Sequence, residues 1–237
     1  MHIPYDDRLG VHPQSDGFTD HQMWDFEGTE PEQYPLLQNF PYFDLYRKQV
    51  IKQADLVLAM HRCGDEFDPD QKRRNFDYYE PLTVRDSSLS SVTQSVMAAE
   101  VGYMDLAFRY ARETAMQDLI DLHGNADDGL HIAALAGVWS VMVEGFGGFR
   151  TGQPQPRFAP RLPVELDRLQ LNLRYRSRQI RLTITPGSVT YELRGGDPID
   201  LQHYGEIHEL GVDGLTLPIP ELEVRKEPSP PPGRAPR

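Results

Sequence analysis

The apolar positions of this sequence follow a helical period in its first part and alternate with polar positions in its last part. In the first part, apolar residues recur three or four positions apart, which is typical of helices that bury one face. No strand-like apolar run separates these stretches, which favours antiparallel helix pairs over a β-α-β unit. The spacing predicts helices over Phe43 to about Cys63, Leu89 to Glu100, Met104 to Leu122 and Ile132 to Phe146.

Glycine and proline positions indicate where these helices end. Gly64 follows the first helix, and Gly102 stands where a C-terminal glycine is expected after the second. Between these two helices, the polar stretch from Asp65 to Asp86 contains Pro69 and Pro81 as helix breakers. The buried face of the fourth helix is predicted to consist of Ile132, Leu135, Ala136, Trp139, Met142, Val143 and Phe146.

After several prolines between residues 154 and 163, the period changes to two. Pro186-Gly187 and Gly195-Gly196-Asp197 are turn sequences between later strands. The alternation predicts strands over Leu169 to Tyr175, Ile180 to Ile184, Val189 to Leu193 and Ile199 to Leu201, in a small antiparallel sheet. The predicted fold class is therefore α+β in two parts, helices followed by an antiparallel sheet.

These patterns divide the chain into four segments. Residues 1–41 have prolines and scattered aromatic residues without a period, which predicts an irregular segment that packs on the helical domain. Residues 42–153 form the helical part and residues 160–226 the sheet part, with a boundary between about 150 and 163. Residues 227–237 are proline-rich with little to bury, which predicts a disordered tail.

Composition narrows the possible functions. The 237 residues carry 36 acidic against 24 basic side chains, and a net charge of -12 repels a phosphate backbone, so no nucleic-acid partner is expected. Apolar runs are shorter than the roughly 20 residues that span a membrane, and no signal segment follows Met1, so we expect a cytoplasmic protein without a membrane partner. Cys63 is the only cysteine, and the eight histidines show no metal-binding spacing, so no disulfide or metal site is expected.

Three short groups of polar residues could carry chemistry, and each has an ordinary structural explanation. Lys52 and Gln53 interrupt a predicted apolar helix, where they could simply form a solvated flank. Ser87 and Ser88 open the second helix, where serine is a common N-cap, although the backbone N–H groups there also suit an anion. His131 begins the fourth helix as an ordinary helix-start side chain, or it faces the two serines and completes a phosphate site.

Four long motifs follow one another along the chain: QVIKQADLVLAMHRCGDEF from Gln49, RNFDYYEPLTVRDSSLS from Arg74, DDGLHIAALAGVW from Asp127 and GFGGFR from Gly145. They closely resemble the inverting disaccharide phosphorylases of glycoside hydrolase family 65, whose members act on maltose, trehalose, kojibiose and related α-glucosides. The resemblance implies an (α/α)6 barrel, present here in part, followed by a small C-terminal antiparallel β-sandwich.

The resemblance also implies roles for particular residues. Lys52 and Gln53 resemble the pair that binds the glucosyl unit at the cleavage point. Ser87, Ser88 and His131 resemble the phosphate-binding residues. Inorganic phosphate is then a co-substrate, and no other cofactor is implied.

Glu80, in the sequence Tyr79-Glu80-Pro81, is the candidate catalytic residue. It matches a carboxylate near the phosphate site, and in a hydrolytic relative such a residue would act as general base for water. Phosphate is itself a nucleophile and needs no strong base. Inverting cleavage also needs a general acid, and the family's acid glutamate lies well upstream of the segment around Tyr5. We therefore expect the C-terminal portion of an enzyme, inactive alone.

The leading hypothesis is the C-terminal part of an inverting α-glucoside phosphorylase, which forms β-glucose 1-phosphate and a free sugar. Its expected partners are a disaccharide, phosphate, the missing N-terminal part as a possible separate chain, and a second copy in a homodimer. The alternatives are a non-catalytic fragment and an α-glucoside hydrolase of the same family. The predicted phosphate pocket, without an arginine clamp, comprises Ser87, Ser88 and His131, with Lys52 and Glu80 at its wall.

Overall fold

Helices dominate residues 36–146 and strands dominate residues 157–218 in the computed structural model, which describes residues 3–122, 124–223 and 225–236. This order confirms the predicted fold class. His123 of the predicted loop and Arg237 of the predicted tail lie outside the described residues. The helices are α1 (Leu36–Asn39), α2 (Tyr42–Leu45), α3 (Asp55–Arg62), α4 (Pro69–Tyr79), α5 (Ser90–Val101), α6 (Met104–Met116) and α7 (Ile132–Ser140).

The helical part is built around α5, which packs against α3, α4, α6 and α7. Small residues of α5 allow this close approach, and Val96 to Ala99 have no exposed surface. Gly102 ends the helix with φ 97, a left-handed conformation that favours glycine, as the sequence predicted. The centre of the helical part around α5 is fully buried and also contains Met60, Phe76, Leu106 and Tyr110.

The predicted helix from Phe43 to Cys63 is wrong in its first half, because α3 begins only at Asp55. Residues 48–53 are extended or bent instead. The backbone N–H of Ile51 donates to the carbonyl of Leu82 at 3.0 Å, and the N–H of Val84 donates to the carbonyl of Ile51 at 2.9 Å. These bonds to a neighbouring segment replace the helical ones, so Lys52 and Gln53 lie in a bend and not in a helix.

Helix α4, which occupies the polar stretch after Asp65, was not predicted from the sequence. Pro69 does not break this helix, because it is the first helical residue, where a missing N–H costs nothing. Asp68 caps the helix by accepting from the N–H of Gln71 at 2.7 Å, and Oε1 of Gln71 accepts from the N–H of Asp68 at 3.0 Å. Asp-Pro-x-Gln is a capping signature that the sequence contains.

The fourth predicted helix is α7 followed by a π-helical stretch, Val141–Phe146. Val143 and Phe146 are buried as predicted. Ile132, Ala136 and Trp139, predicted on the buried face, are exposed, Ile132 by 64% and Trp139 by 58%, so this part of the prediction is wrong for the described chain. Their spacing is that of an amphipathic helix, but no described element covers this face.

The sheet part consists of two sheets that share one apolar core. The strands are β3 (Arg157–Phe158), β4 (Leu169–Tyr175), β5 (Arg178–Thr185), β6 (Ser188–Gly195), β7 (Ile199–His203), β8 (Glu206–Leu210) and β9 (Leu215–Pro218). The order β4-β5-β6-β9 is antiparallel throughout, whereas β3 pairs in parallel with β7 and β7 pairs with β8. Phe158 and Leu201 of the smaller sheet belong to the same buried cluster as Leu182 of the larger one, which makes a sandwich.

The predicted fourth strand therefore exists as β7, but it lies in the second sheet and not beside the third strand. Alternation alone cannot show this, because it gives the buried face of a strand and not its neighbours. A further pair, β1 (Gln22–Met23) and β2 (Lys48–Gln49), links the N-terminal segment to the helical part. No helix among the described residues is long and apolar enough to cross a membrane.

Both ends of the described chain pack on the helices. Phe18 of the N-terminal segment lies 5.8 Å, ring to ring, from Tyr79 of α4. The segment expected to be a disordered tail also makes defined contacts, since Arg234 donates from Nε to the carbonyl of Val84 at 2.7 Å. The proline-rich segment has few large apolar side chains to bury. It is held on the helical part by hydrogen bonds and ion pairs instead.

Candidate functional site

Glu80 lies at the centre of the helical part, in a single 3-10 turn (Glu80–Leu82) that follows α4. Its side chain is 1% exposed, and both carboxylate oxygens are bonded: one accepts from the hydroxyl of Tyr110 and the other from Nε2 of Gln94 at 2.7 Å. Burial raises the pKa of Glu80 to about 7, although the bonds from Tyr110 and Gln94 and the nearby Arg85 act in the opposite direction. Glu80 therefore titrates near neutral pH.

Arg85 extends this network on the other side of Tyr110. Its guanidinium pairs with the carboxylate of Glu113 and lies 5.1 Å from the centre of the Tyr110 ring. Ser91 also donates its hydroxyl to Glu113 at 2.6 Å. Arg85 and Glu113 are almost fully buried, and a buried charge is tolerated only when it is paired and hydrogen-bonded.

Ser87 and Ser88 form the turn directly before α5, which begins at Ser90. Both serines are half-buried. The N–H of Leu89 donates to Oγ of Ser87 at 3.4 Å, and the N–H of Ser90 donates to the carbonyl of Ser87 at 3.1 Å. The serines thus stand beside the positive end of a twelve-residue helix, as the predicted anion site requires.

His131 occupies the N-cap position of α7 and is held by Asp118. Its backbone N–H donates to Oδ2 of Asp118 at 2.8 Å, and its ring Nδ1 lies 2.6 Å from Oδ1. A carboxylate at this distance fixes the proton on Nδ1 and sets the ring orientation. Nε2, on the opposite edge of the ring, lies 3.5 Å from Nδ2 of Asn125.

Lys52 and Gln53 lie beside the first turn of α5. The carbonyl of Lys52 accepts from the hydroxyl of Ser90 at 3.5 Å. Gln53 lines a small cleft of about 50 Å³ together with Ser90 and Gln94, the same Gln94 that bonds to Glu80. The structure thus brings Lys52, Gln53 and Glu80 around α5.

The convergence of His131 with the two serines stays a prediction. The helix that begins at His131, α7, packs against α5 and α6. The cleft beside Gln53, at about 50 Å³, is too small for a sugar ring.

Several buried polar residues of this site were missed by the sequence analysis. The available signal was the spacing of Ser91, Gln94 and Ser95, three and four positions apart, which puts polar groups on the buried face of a helix. Among the described residues, no group of three histidine, cysteine or acidic side chains could hold a metal ion.

Residues 1–140 match the sequence profile of the glycosyl hydrolase family 65 central catalytic domain, and residues 149–210 match that of the family's C-terminal domain. The chain belongs to glycoside hydrolase family 65. An uncharacterized glycosyl hydrolase of Mycobacterium leprae is 48% identical over 238 residues, which cover 99% of this chain and 30% of that protein.

Other family 65 relatives are named as phosphorylases. The α,α-trehalose phosphorylase of Thermoanaerobacter brockii is 40% identical over 86% of this chain and 26% of its own length. A putative kojibiose phosphorylase from the human microbiome has a similar structure, with a TM-score of 0.87 and 26% identity over 95% of this chain and 33% of its own. The chain is thus related to disaccharide phosphorylases and spans about a third of their length or less.

Proposed function

We propose that this chain supplies the phosphate-binding and glucosyl-binding wall of an inverting α-glucoside phosphorylase. The observation that supports this most directly is the pairing of His131 with Asp118, because it gives a helix-start histidine a fixed orientation. A structural helix cap needs no such device, whereas a ring that donates to an anion does. Ser87 and Ser88 stand at the start of a second helix and supply hydroxyl donors of the kind phosphate requires.

In this reaction a phosphate oxygen attacks the anomeric carbon of the glucosyl unit. The new carbon–oxygen bond forms as the glycosidic bond breaks, and the leaving oxygen takes a proton from a general acid, so the product is β-glucose 1-phosphate. His131, Ser87 and Ser88 would hold the phosphate, while Lys52 and Gln53 would bind hydroxyl groups of the glucosyl unit. Inorganic phosphate is the co-substrate, and the proposal includes no other cofactor.

The proposal assigns the general acid to polypeptide that precedes the matched region in longer relatives. The uncovered face of α7 is where this polypeptide would pack. Leu130, Ile132 and Trp139 expose apolar surface here, and exposed patches of this kind commonly mark interfaces. A second copy in a homodimer is a further proposed partner.

Hydrolysis is the second candidate, because Glu80 is a carboxylate of the kind that acts as a base for water. Its titration near pH 7 suits a base. However, Glu80 is 1% exposed and both of its oxygens already accept hydrogen bonds, so water has no direct approach in the described structure. Phosphorolysis, which needs no strong base, is the better proposal.

The test is to combine the chain with the remaining part of the catalytic domain and incubate it with trehalose, maltose, kojibiose or nigerose and inorganic phosphate. We expect β-glucose 1-phosphate, identified by the proton coupling of its anomeric signal. Free glucose without the phosphate ester would favour the hydrolase. Absence of both products from every substrate would favour a non-catalytic fragment.

A further inference from the structure

The C-terminal segment, residues 225–236, returns from the sheet part to the helical part. Pro231 and Pro236 are buried there. Between them the chain makes a turn, in which the N–H of Arg234 donates to the carbonyl of Pro231 at 2.9 Å and Gly233 has φ 70. This turn directs the Arg234 side chain towards the segment that precedes α5.

Arg234 bonds to residues on both sides of Arg85. Its Nε donates to the carbonyl of Val84 at 2.7 Å, and its Nη2 pairs with Oδ1 of Asp86 at 2.8 Å. Its own carbonyl accepts from the guanidinium of Arg85. Three consecutive residues of the helical part are therefore held by one residue that lies about 150 positions later in the sequence.

Arg85 needs such support because its backbone is strained. Its φ of 57 lies in the left-handed region, where the Cβ of a non-glycine residue crowds the backbone. A conformation of this kind persists only when its surroundings fix it. The Arg85 side chain is fixed by Glu113, and its two neighbours are fixed by Arg234.

Asp86 connects this strained turn to Ser87 and Ser88, which follow it directly. Its side chain is 2% exposed, and Oδ2 accepts from the N–H of Leu36 at 2.7 Å. The Arg234 guanidinium, which also lies 4.6 Å from the centre of the Tyr34 ring, supplies a positive charge to this buried carboxylate. Without it, Asp86 would lose a charged partner in a poorly solvated position.

We propose that Arg234 is a positioning residue of the phosphate site: it holds the turn Val84 to Asp86 in the strained conformation that presents Ser87 and Ser88. The proposal rests on the function proposed above for the two serines. The C-terminal segment is then a strap over the helical part, and the phosphate site depends on an arginine that does not itself contact phosphate.

Hydrogen exchange of the 237-residue chain tests the strap without any need for activity. Arg234→Ala is expected to speed exchange of the Leu89 and Ser90 amides by about tenfold or more, because local opening becomes easier once the turn is released. Amides of β5, such as that of Leu182, serve as an internal reference and should not change. Arg225→Ala is the matched control, since Arg225 lies in the same segment and pairs with Glu223 at the surface.

Arg234→Lys provides a second variant that keeps the charge. A lysine cannot bridge a carbonyl and a carboxylate with a planar fork, so exchange at Leu89 and Ser90 should fall between the wild type and Arg234→Ala. If Arg234→Ala also speeds amide exchange in β5, it has destabilised the whole chain, and Arg234→Lys is used for the test in its place. The proposed role of Arg234 is overturned if the variant that keeps wild-type exchange in β5 also keeps wild-type exchange at Leu89 and Ser90.

The link to phosphate is tested in the assembled enzyme by steady-state kinetics. Arg234→Ala should raise the KM for phosphate by about fivefold or more and leave the KM for the disaccharide nearly unchanged. Faster exchange with no phosphate-specific change in KM would overturn the positioning role. If the wild-type assembly performs no phosphorolysis, the proposed function fails, and the exchange result still decides whether Arg234 holds the turn.

Discussion

The hydroxyl of Tyr110 donates to the carboxylate of Glu80 in the interior of the helical part, across 30 residues of sequence. Burial raises the pKa of Tyr110 well above its ordinary value, so this hydroxyl keeps its proton and remains a donor. The pair joins α6 to the end of α4. Glu80 is therefore part of the helical packing whether or not it takes part in catalysis.

The raised pKa of Glu80 predicts a pH-dependent stability. Below its ordinary value of 4.5, Glu80 is protonated in the folded and unfolded states alike. Between 4.5 and about 7 the folded state binds the proton more tightly, so the free energy of unfolding falls as the pH rises. Above about pH 7 this decrease in the free energy of unfolding is complete and amounts to roughly 3 kcal/mol.

Glu80→Gln isolates this contribution. The glutamine side chain does not titrate. The free energy of unfolding of the variant, relative to that of the wild type, should therefore increase as the pH rises from 4.5 to about 7 and stay constant above that. Denaturant unfolding of both proteins at several pH values measures the difference. A difference that is independent of pH would contradict the raised pKa.

Tyr110→Phe removes a hydroxyl from the same pair and leaves a Glu80 oxygen without its donor. An unsatisfied buried acceptor costs about 1–3 kcal/mol, so the free energy of unfolding should fall by that amount at neutral pH. The pKa of Glu80 should rise further, because the lost bond lowers it in the wild type. Tyr46→Phe is the control, since Tyr46 is 73% exposed and should change stability little. Equal stability of the two variants would contradict the network.

Local patterns predicted the parts of the fold that local interactions decide. Gly102 ends α5 as expected because a left-handed residue there favours glycine, and alternation identified the buried face of β5 because strand side chains alternate between two faces. The start of α4 was missed because Pro69 was treated as a breaker, although Asp68 and Gln71 form a capping box around it.

Long-range interactions decided the rest. The Arg234 contacts join positions about 150 residues apart, and neither end of the pair shows a local pattern. The same is true of Glu80, whose partners lie on two other helices and are placed only by the packing of α5 and α6. Disorder was predicted for residues 227–237 from their low apolar content. Composition does not show whether a particular charged side chain in the segment has a partner elsewhere in the chain.

The apolar face of α7 predicts a spectroscopic response to assembly. Trp139 is 58% exposed, so its emission in the isolated chain should be that of a solvated indole. Trp24→Phe leaves Trp139 as the only tryptophan of the two in the chain. Addition of the remaining part of the catalytic domain should shift the emission to shorter wavelength and protect it from acrylamide, because the face becomes buried. Unchanged emission in a complex of confirmed stoichiometry would place the interface elsewhere.

His131 provides the kinetic test of the phosphate site. In the assembled enzyme, His131→Ala should raise the KM for phosphate by about 10-fold to 100-fold, the loss expected for one hydrogen bond to a charged group, and change the KM for the disaccharide much less. Asp118→Asn keeps the ring but removes the carboxylate that fixes the proton on Nδ1, so it should give a smaller rise in the phosphate KM than His131→Ala. His208→Ala is the control, since His208 lies in β8 of the sheet part and not in the helical part. Equal effects of His131→Ala on both substrates would return His131 to the role of an ordinary helix-start side chain.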